Sequence, residues 1–146
     1  NLYLGNGTSA PTALAPVTNG VVYSTGTTTW TTKVLVDTIT KAFGFYSISA
    51  GDSNIVFEVR DNNITLREIR AIRTGGTSAS INATRTRSGA TVDLLAANYA
   101  TTTSLADAGT EQNTSFQAGD FIKVTVRAIS GTVTELFIQM TMEKNR

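Results

Sequence analysis

Residues 121–142 read FIKVTVRAISGTVTELFIQMTM and contain the clearest pattern in the chain. Apolar and polar residues alternate on both sides of Ser130-Gly131, as a half-buried β-strand requires, because successive side chains point to opposite faces. Ser130-Gly131 is a suitable two-residue turn, since glycine accepts a positive φ. The pattern therefore predicts a hairpin of two half-buried strands, whose buried faces are formed by Ile122, Val124, Val126 and Ala128 and by Leu136, Ile138, Met140 and Met142.

The residues upstream repeat this strand-and-turn pattern. Asn54–Arg60 alternates like a strand, and Asp61–Asn63 is typical of a turn because short polar side chains bond their own backbone. The apolar spacing of Ile64–Arg73 slips between periods of two and three, which favours a strand with a bulge over a short helix. Gly75-Gly76 then breaks the chain. About eight such strands predict an all-β fold, an antiparallel β-sandwich of jelly-roll type.

Composition supports the same fold class. The chain has 146 residues, the size of one ordinary domain, and 40% of them are hydrophobic, enough for a real core. Threonine accounts for 26 residues, and this β-branched side chain favours strands while keeping a solvent face polar. Long stretches of strong helix formers are missing.

Two absences and a small charge exclude several functions. Without cysteine and histidine the chain has no disulfide, no thiolate or imidazole metal site and no imidazole acid–base chemistry. A net charge of +1 gives no bulk attraction to nucleic acid. No apolar run approaches the roughly 20 residues of a membrane span. We therefore expect no cofactor, no bound metal, no nucleic-acid partner and no membrane insertion.

The first 32 residues differ from the rest. They carry no charged side chain, contain both prolines of the chain and are rich in glycine and threonine. Their apolar groups are too short for an independent core. We therefore divide the chain into a stalk-like connector, residues 1–32, and a β-sandwich head domain, residues 33–146.

The connector resembles a repeat of tailed-bacteriophage fibres and related virion proteins. The resemblance is carried by LGNGTSAPTALAP (4–16), TNG (18–20) and GTTTW (26–30). In such fibres the repeat precedes a distal domain. One departure is visible: Val21-Val22 follow the Asn-Gly pair, where the repeat often has a polar residue.

The head resembles a small β-sandwich found at the ends of phage fibres and other virion-surface proteins. The segments that carry this looser resemblance are ITLREIRA (64–71), GGT (75–77), AGDFIKV (118–124) and SGTVT (130–134). The resemblance implies a non-enzymatic structural protein of the virion, a tail-fibre end that binds a host-surface receptor, with a glycan as the expected ligand. The alternative is a capsid decoration or head-fibre protein that stabilises or adorns the shell.

Arginines and one tyrosine are the candidate receptor-binding residues. Six of the eight arginines lie between Arg60 and Arg87, a pattern that fits either an anionic ligand or solvated strand faces balanced by carboxylates. Tyr99 lies in a polar stretch and is a candidate for a sugar contact or for ordinary packing. We expect recognition in two predicted loops, Thr74–Ser88 and Ala96–Ser115, through Arg85, Arg87 and Tyr99.

The connector also predicts an assembly. A single copy cannot bury its leucines, valines and aromatic residues, whereas three copies around an axis bury them against one another. We therefore expect a homotrimer joined along residues 1–32, in contact with other virion proteins. The alternative is a linker that only tethers a monomeric head.

Overall fold

The computed structural model describes residues 3–6, 9–13, 20–24 and 30–145, with side chains for 35–54 and 56–145. The regular elements within these ranges are all β-strands, so the all-β prediction is confirmed. No helix long and apolar enough to cross a membrane occurs among the described residues. The strands in chain order are β1 (Tyr3–Asn6), β2 (Ser9–Ala13), β3 (Gly20–Ser24), β4 (Trp30–Val34), β5 (Val36–Tyr46), β6 (Ser53–Glu58), β7 (Ile64–Gly75), β8 (Ser78–Arg87), β9 (Ala90–Asp93), β10 (Tyr99–Ala100), β11 (Ala106–Asp107), β12 (Ser115–Phe116), β13 (Phe121–Ser130) and β14 (Val133–Asn145).

Two antiparallel sheets of five strands make up most of the molecule. Sheet I has the order β6-β13-β8, and the short strands β9 and β10 both pair with the far edge of β8. Sheet II has the order β5-β14-β7, and the short strands β11 and β12 both pair with β7. β1 with β2 and β3 with β4 form two separate two-stranded sheets.

The chain divides into two compact units. One comprises Asn1–Asp37 with Asn145–Arg146, and the other comprises Thr38–Lys144. Residues 1–2, 7–8, 14–19 and 25–29 of the predicted connector lie outside the described residues, so the connector and its role in assembly stay predictions.

One hydrophobic core draws side chains from both large sheets. Seven of the residues that the alternation assigns to the buried faces of β13 and β14 belong to it, and each is at most 1% exposed: Ile122, Val124, Val126, Leu136, Ile138, Met140 and Met142. Ala128 departs from the prediction and is exposed, because Arg127 forms a bulge that shifts the pairing with β8. The predicted half-buried character of both strands is otherwise confirmed.

The predicted hairpin of residues 121–142 is wrong. β13 pairs with β8 and β6 in sheet I, whereas β14 pairs with β7 in sheet II, so the turn at Gly131 joins strands of different sheets. Alternation of side chains fixes which face of a strand is buried but not which strand it pairs with. Both arrangements therefore satisfy the same sequence pattern.

Two glycine turns, one on each route between the sheets, contact each other. Gly76 joins β7 to β8 and Gly131 joins β13 to β14, with φ of 63° and 73°. Thr77 N donates to Ser130 O at 2.8 Å. A Cβ on Gly76 would lie 2.4 Å from Cγ2 of Val133, and one on Gly131 would lie 3.2 Å from Cα of Gly76. Glycine is required here for its left-handed backbone and for the close approach of the two turns.

The predicted bulge and the predicted turn before it are confirmed. Opposite β14, the register of β7 shifts between Leu66 and Glu68. The buried positions shift with it, so that Leu66 and Ile69 both enter the core. Asn63 has a φ of 61°, the left-handed conformation that short polar side chains tolerate in turns.

The prediction of a recognition loop over Thr74–Ser88 is wrong, because most of this segment is the ten-residue strand β8. Small residues such as Ala79 and Ala83 alternate with polar ones and give a weak hydrophobic signal, yet both lie in the core. The second predicted loop, 96–115, contains two short strands, β10 and β11, and the first residue of β12 between its irregular stretches.

Candidate functional site

Arg85 and Arg87 hold a neighbouring segment in place. Both follow Ala79, Ile81 and Ala83 in the row of β8 side chains that faces the core. Arg85 Nη1 donates to the carbonyls of Asn113 and Ser115, at 3.0 Å and 2.6 Å. Arg87 Nη2 also donates to the carbonyl of Ser115, at 3.1 Å. The two guanidinium groups therefore fasten the residues around β12 to β8.

Asp120 links Arg87 to the chain that follows β12. Its two carboxylate oxygens accept hydrogen bonds from Nε and Nη2 of Arg87, both at 2.7 Å, and Oδ2 also accepts one from Gln117 N at 2.9 Å. The carboxylate side chain is 1% exposed. The hydrogen bond from Arg87 holds the pKa of Asp120 below its usual value despite the opposing effect of burial. The charge of Arg87 is thus already neutralised within the chain.

Tyr99 lies apart from the two arginines. It pairs with Ile81 at the other end of β8, four residues from Arg85, which is about 14 Å along a strand. Its side chain is half-buried and packs against the core. The structure therefore brings Arg85 and Arg87 together but leaves Tyr99 outside their cluster, farther along the same face of β8.

The other arginines of the cluster also have partners. Arg73 donates to four backbone carbonyls, those of Gly75, Gly76, Thr77 and Thr101, and so clamps the turn before β8. The remaining three face carboxylates: Arg60 with Glu58 at 3.7 Å, Arg67 with Glu143 at 2.7 Å, and Arg70 with Glu68 at 3.6 Å. Together with Arg87, four of the six arginines thus face carboxylates, whereas Arg73 and Arg85 bind backbone carbonyls.

An exposed aromatic ring lies on the outer face of sheet I. Phe121 is 43% exposed, although its neighbour Ile122 is fully buried. Its cross-strand partners are Glu58 on β6 and Thr86 on β8, and Thr86 in turn pairs with Thr91 on β9. Paired residues of neighbouring strands project from the same face, so these four side chains form one row across the sheet. We call this the Phe121 row.

A second row runs beside the first. Lys123 projects from the same face of β13 as Phe121 and pairs with Thr84, which pairs with Asp93. Asp93 Oδ1 lies 3.5 Å from Nη2 of Arg127, the bulge residue of β13. We call the two rows together the outer face of sheet I. It combines one apolar ring with hydroxyl, carboxylate and ammonium groups.

A hydroxyl pair fixes part of this outer face. Oγ1 of Thr86 and Oγ1 of Thr91 lie 2.8 Å apart, within hydrogen-bond distance. A hydroxyl donates one hydrogen bond and has two acceptor lone pairs, so this pair keeps capacity for a ligand. The pair lies beside Phe121, on strands rather than loops, and β-branched threonine has few rotamers. The groups are therefore held in place before any ligand arrives.

A groove opens between β5 and β6, next to the Phe121 row. It has a volume of about 240 Å³ and shares Glu58 with that row. Apolar side chains line part of it and charged ones the remainder: Ile39, Phe57, Val59, Ile64 and Met142, and Lys41, Glu58, Arg60 and Asp61. Within the described residues, no three acidic side chains come together as a metal site.

The position of Phe121 in the sequence already indicates its exposure, although Phe121 is not among the residues expected to bind a receptor. Phe121 occupies the same phase of β13 as Lys123, Thr125 and Arg127, the polar face of the strand. A large aromatic residue in that phase is expected to be exposed. The Thr86–Thr91 pair, by contrast, depends on the pairing of β8 with β9, which alternation does not specify.

The chain matches no family model, no curated protein and no solved structure. No residue role is therefore carried over from a relative, and the function is argued from the geometry of the outer face of sheet I.

Proposed function

We propose that this chain is a non-enzymatic structural protein of a phage virion, a trimeric tail-fibre end whose head domain binds a host-surface glycan. The observation that carries the proposal is the exposed ring of Phe121 within a row of polar side chains. An aromatic ring packs against the apolar face of a sugar, while neighbouring hydroxyl and carboxylate groups satisfy its hydroxyls. The two-unit chain and the phage-fibre resemblance of residues 1–32 support the placement on a virion surface.

The strand order supports a jelly-roll sandwich as the fold of the head. Taken as rows, sheet II runs β5, β14, β7, then β11 with β12, and sheet I runs β6, β13, β8, then β9 with β10. The four long strands β5 to β8 alternate between the sheets, and β13 and β14 each enter the middle of one sheet. This order agrees with that of an eight-stranded double Greek key, which supports the proposed fold. Viral capsid and lectin domains use that fold, which is support by analogy only.

The recognition surface in this proposal differs from the one expected from sequence. Arg87 binds Asp120 through Nε and Nη2, and Nη1 of Arg85 donates to two backbone carbonyls, so both guanidinium groups already make contacts within the chain. The outer face of sheet I has the exposed ring and, beside it, a hydroxyl pair that keeps capacity for further hydrogen bonds. Arg85 and Arg87 support the head by holding the segment around β12, and the ligand binds on the other side of the sheet.

A glycan array probed with the full chain tests the proposal. Phe121→Ala is expected to weaken binding by about 2 kcal/mol or more, roughly thirtyfold, as for an aromatic anchor at a binding site. Tyr46→Ala is the matched control, because Tyr46 is 72% exposed but lies on β5 in sheet II. Equal loss in both variants, or none in Phe121→Ala, would contradict the assignment of the site.

Capsid decoration is the rival function. A shell protein needs a surface for its neighbours in the virion but no glycan site. If the full chain bound neither the array nor host cells, even when clustered at high avidity, the decoration role would replace the adhesin role. Locating the chain on an intact particle, at the tail or on the shell, separates the two directly.

A further inference from the structure

The charged side chains on the outer face of sheet I do not all have an ion-pair partner. Its two carboxylates both have a cation nearby: Glu58 lies 3.7 Å from Arg60, and Asp93 lies 3.5 Å from Arg127. Lys123, on the same face, forms no ion pair with any carboxylate in the described part of the chain. The face therefore has one unmatched positive charge.

The position of this charge relative to the ring is fixed by the strand. Lys123 and Phe121 are two residues apart on β13, so their side chains leave the same face about 7 Å apart. β13 is the central long strand of sheet I, paired on both sides, which holds this spacing rigid. A ligand that packs a ring on Phe121 therefore presents its substituents to the ammonium group of Lys123.

We infer that the ligand of this face is an anionic sugar, whose ring packs on Phe121 while its carboxylate or ester-linked anion binds Nζ of Lys123. The inference rests on the proposed glycan-binding function and names the class of glycan. A lysine ammonium is a point charge with three donors, and it accepts a carboxylate, sulfate or phosphate without the planar fit that arginine imposes. The hydroxyl pair of Thr86 and Thr91 lies beside Phe121 on the neighbouring strands β8 and β9, across the sheet, whereas Lys123 lies along β13, so the pair meets a different, uncharged part of the sugar.

Paired glycans on one array test this inference. The probes are polygalacturonate, hyaluronan and polysialic acid, each beside its carboxyl-reduced counterpart, with dextran sulfate beside dextran. The full chain is expected to bind members of the acidic set at least tenfold more tightly than their neutral counterparts, the effect of one charge-assisted contact. Raised salt is expected to weaken the acidic binding selectively.

Variants of Lys123 identify the group responsible. Lys123→Met is expected to abolish the preference for acidic probes, and Lys123→Arg to retain most of it. Lys41→Met is the control, because Lys41 is an exposed lysine on β5, in the other sheet. Thermal unfolding of each variant tests whether the head stays folded.

The outcomes separate this inference from the function on which it rests. Equal binding of acidic and neutral members, with loss in Phe121→Ala, overturns the anionic specificity and keeps the glycan-binding function. A preference that survives in Lys123→Met also overturns the inference. Failure of the unmodified chain to bind any glycan overturns both. Preference for dextran sulfate over the carboxylate probes supports the inference and identifies the anion.

Discussion

Arg87 and Lys123 carry the same charge on the same sheet, but their surroundings give them opposite roles. Two nitrogens of Arg87 each lie 2.7 Å from an oxygen of Asp120, so its charge and its geometry are both used within the chain. Lys123 projects outward, and no carboxylate of the described residues pairs with it. A cation becomes available for a ligand only when its own chain leaves its donors free, which counting arginines does not reveal.

The bond between Arg87 and Asp120 predicts a pH dependence of stability. Because the folded chain holds the pKa of Asp120 below the unfolded value of about 3.9, the carboxylate stabilises the folded state above that value. The contribution is complete above about pH 5 and is lost as the pH falls through the lowered pKa. Urea unfolding of the native chain and of Asp120→Asn, from neutral pH to about pH 2.5, measures it. The difference in free energy of unfolding between the two chains is expected to be constant above about pH 5 and to become smaller below about pH 4. A difference that does not change with pH would contradict the role of Asp120.

The glycine turns predict a contrast between two similar substitutions. Gly76 and Gly89 both have a positive φ, but a Cβ on Gly76 would lie 2.4 Å from Val133, whereas one on Gly89 would have nothing within 4 Å. Gly89→Ala is expected to cost about 1 kcal/mol for the left-handed backbone alone. Gly76→Ala adds a steric conflict between two packed turns and is expected to cost about 2–4 kcal/mol. Equal free energies of unfolding in urea for the two variants would contradict the close approach of the turns.

At the scale of strands, the sequence correctly predicts which face of a strand is buried, but it does not predict which strand it pairs with. The period-two pattern of residues 121–142 identified the buried side chains of β13 and β14, and the slip in Ile64–Arg73 identified the bulge of β7. The partner of each strand depends instead on contacts distant in sequence, such as the pairing of β13 with β8. β8 itself was missed, because alanine and threonine at its alternating positions give a weak contrast.

The same distinction applies to the candidate site: some of its features follow from alternation along one strand, and others depend on strand pairing. Phe121 and Lys123 are neighbours on one strand, so their common outward face follows from alternation. Glu58, Thr86 and Thr91 join them only because β6, β8 and β9 pair in one register. The salt bridge of Arg87 with Asp120 likewise spans 33 residues of sequence, and no local pattern indicates it.

Engineered cysteine pairs distinguish the two arrangements of β13 and β14. The chain has no native cysteine, so any disulfide reports the introduced pair. Ser78 and Ser130 are cross-strand partners of β8 and β13, and their Cys variants are expected to form a disulfide readily because paired strands bring Cα atoms to about 5 Å. Arg127 and Thr134 would face each other only in the hairpin, and their Cys variants are expected to stay reduced. Oxidation followed by thiol counting shows whether each pair has formed a disulfide. A disulfide in the second pair would support the hairpin and contradict the pairing of β13 with β8.

At the scale of the molecule, one edge of sheet II remains unpaired in the described structure. β5 has β14 on one side, and its other edge has no partner strand among the described residues. Four large apolar side chains are exposed among residues 35–54 and 56–145, and three of them, Leu35, Val36 and Tyr46, lie on or next to β5. A long edge strand with exposed apolar residues is a template for pairing with another chain. The head alone therefore has little protection against association along this edge. This edge is therefore the first surface of the head at which self-association should be tested.

The proposed assembly is a homotrimer held together by residues 1–32, and its mass is the prediction at this scale. That segment has no charged residue, and its apolar groups need neighbours that one copy does not provide. Sedimentation of the full chain is expected to give three times 15.5 kDa, while a chain beginning at Lys33 is expected to sediment as a monomer. A trimer also raises the apparent affinity of the outer face of sheet I for a surface that presents many glycans, so the shortened chain should lose adhesion to host cells while retaining single-site affinity. A monomeric full chain at micromolar concentration contradicts the trimer; a trimer in both chains moves the interface to the head, where the edge of β5 is the first surface to substitute.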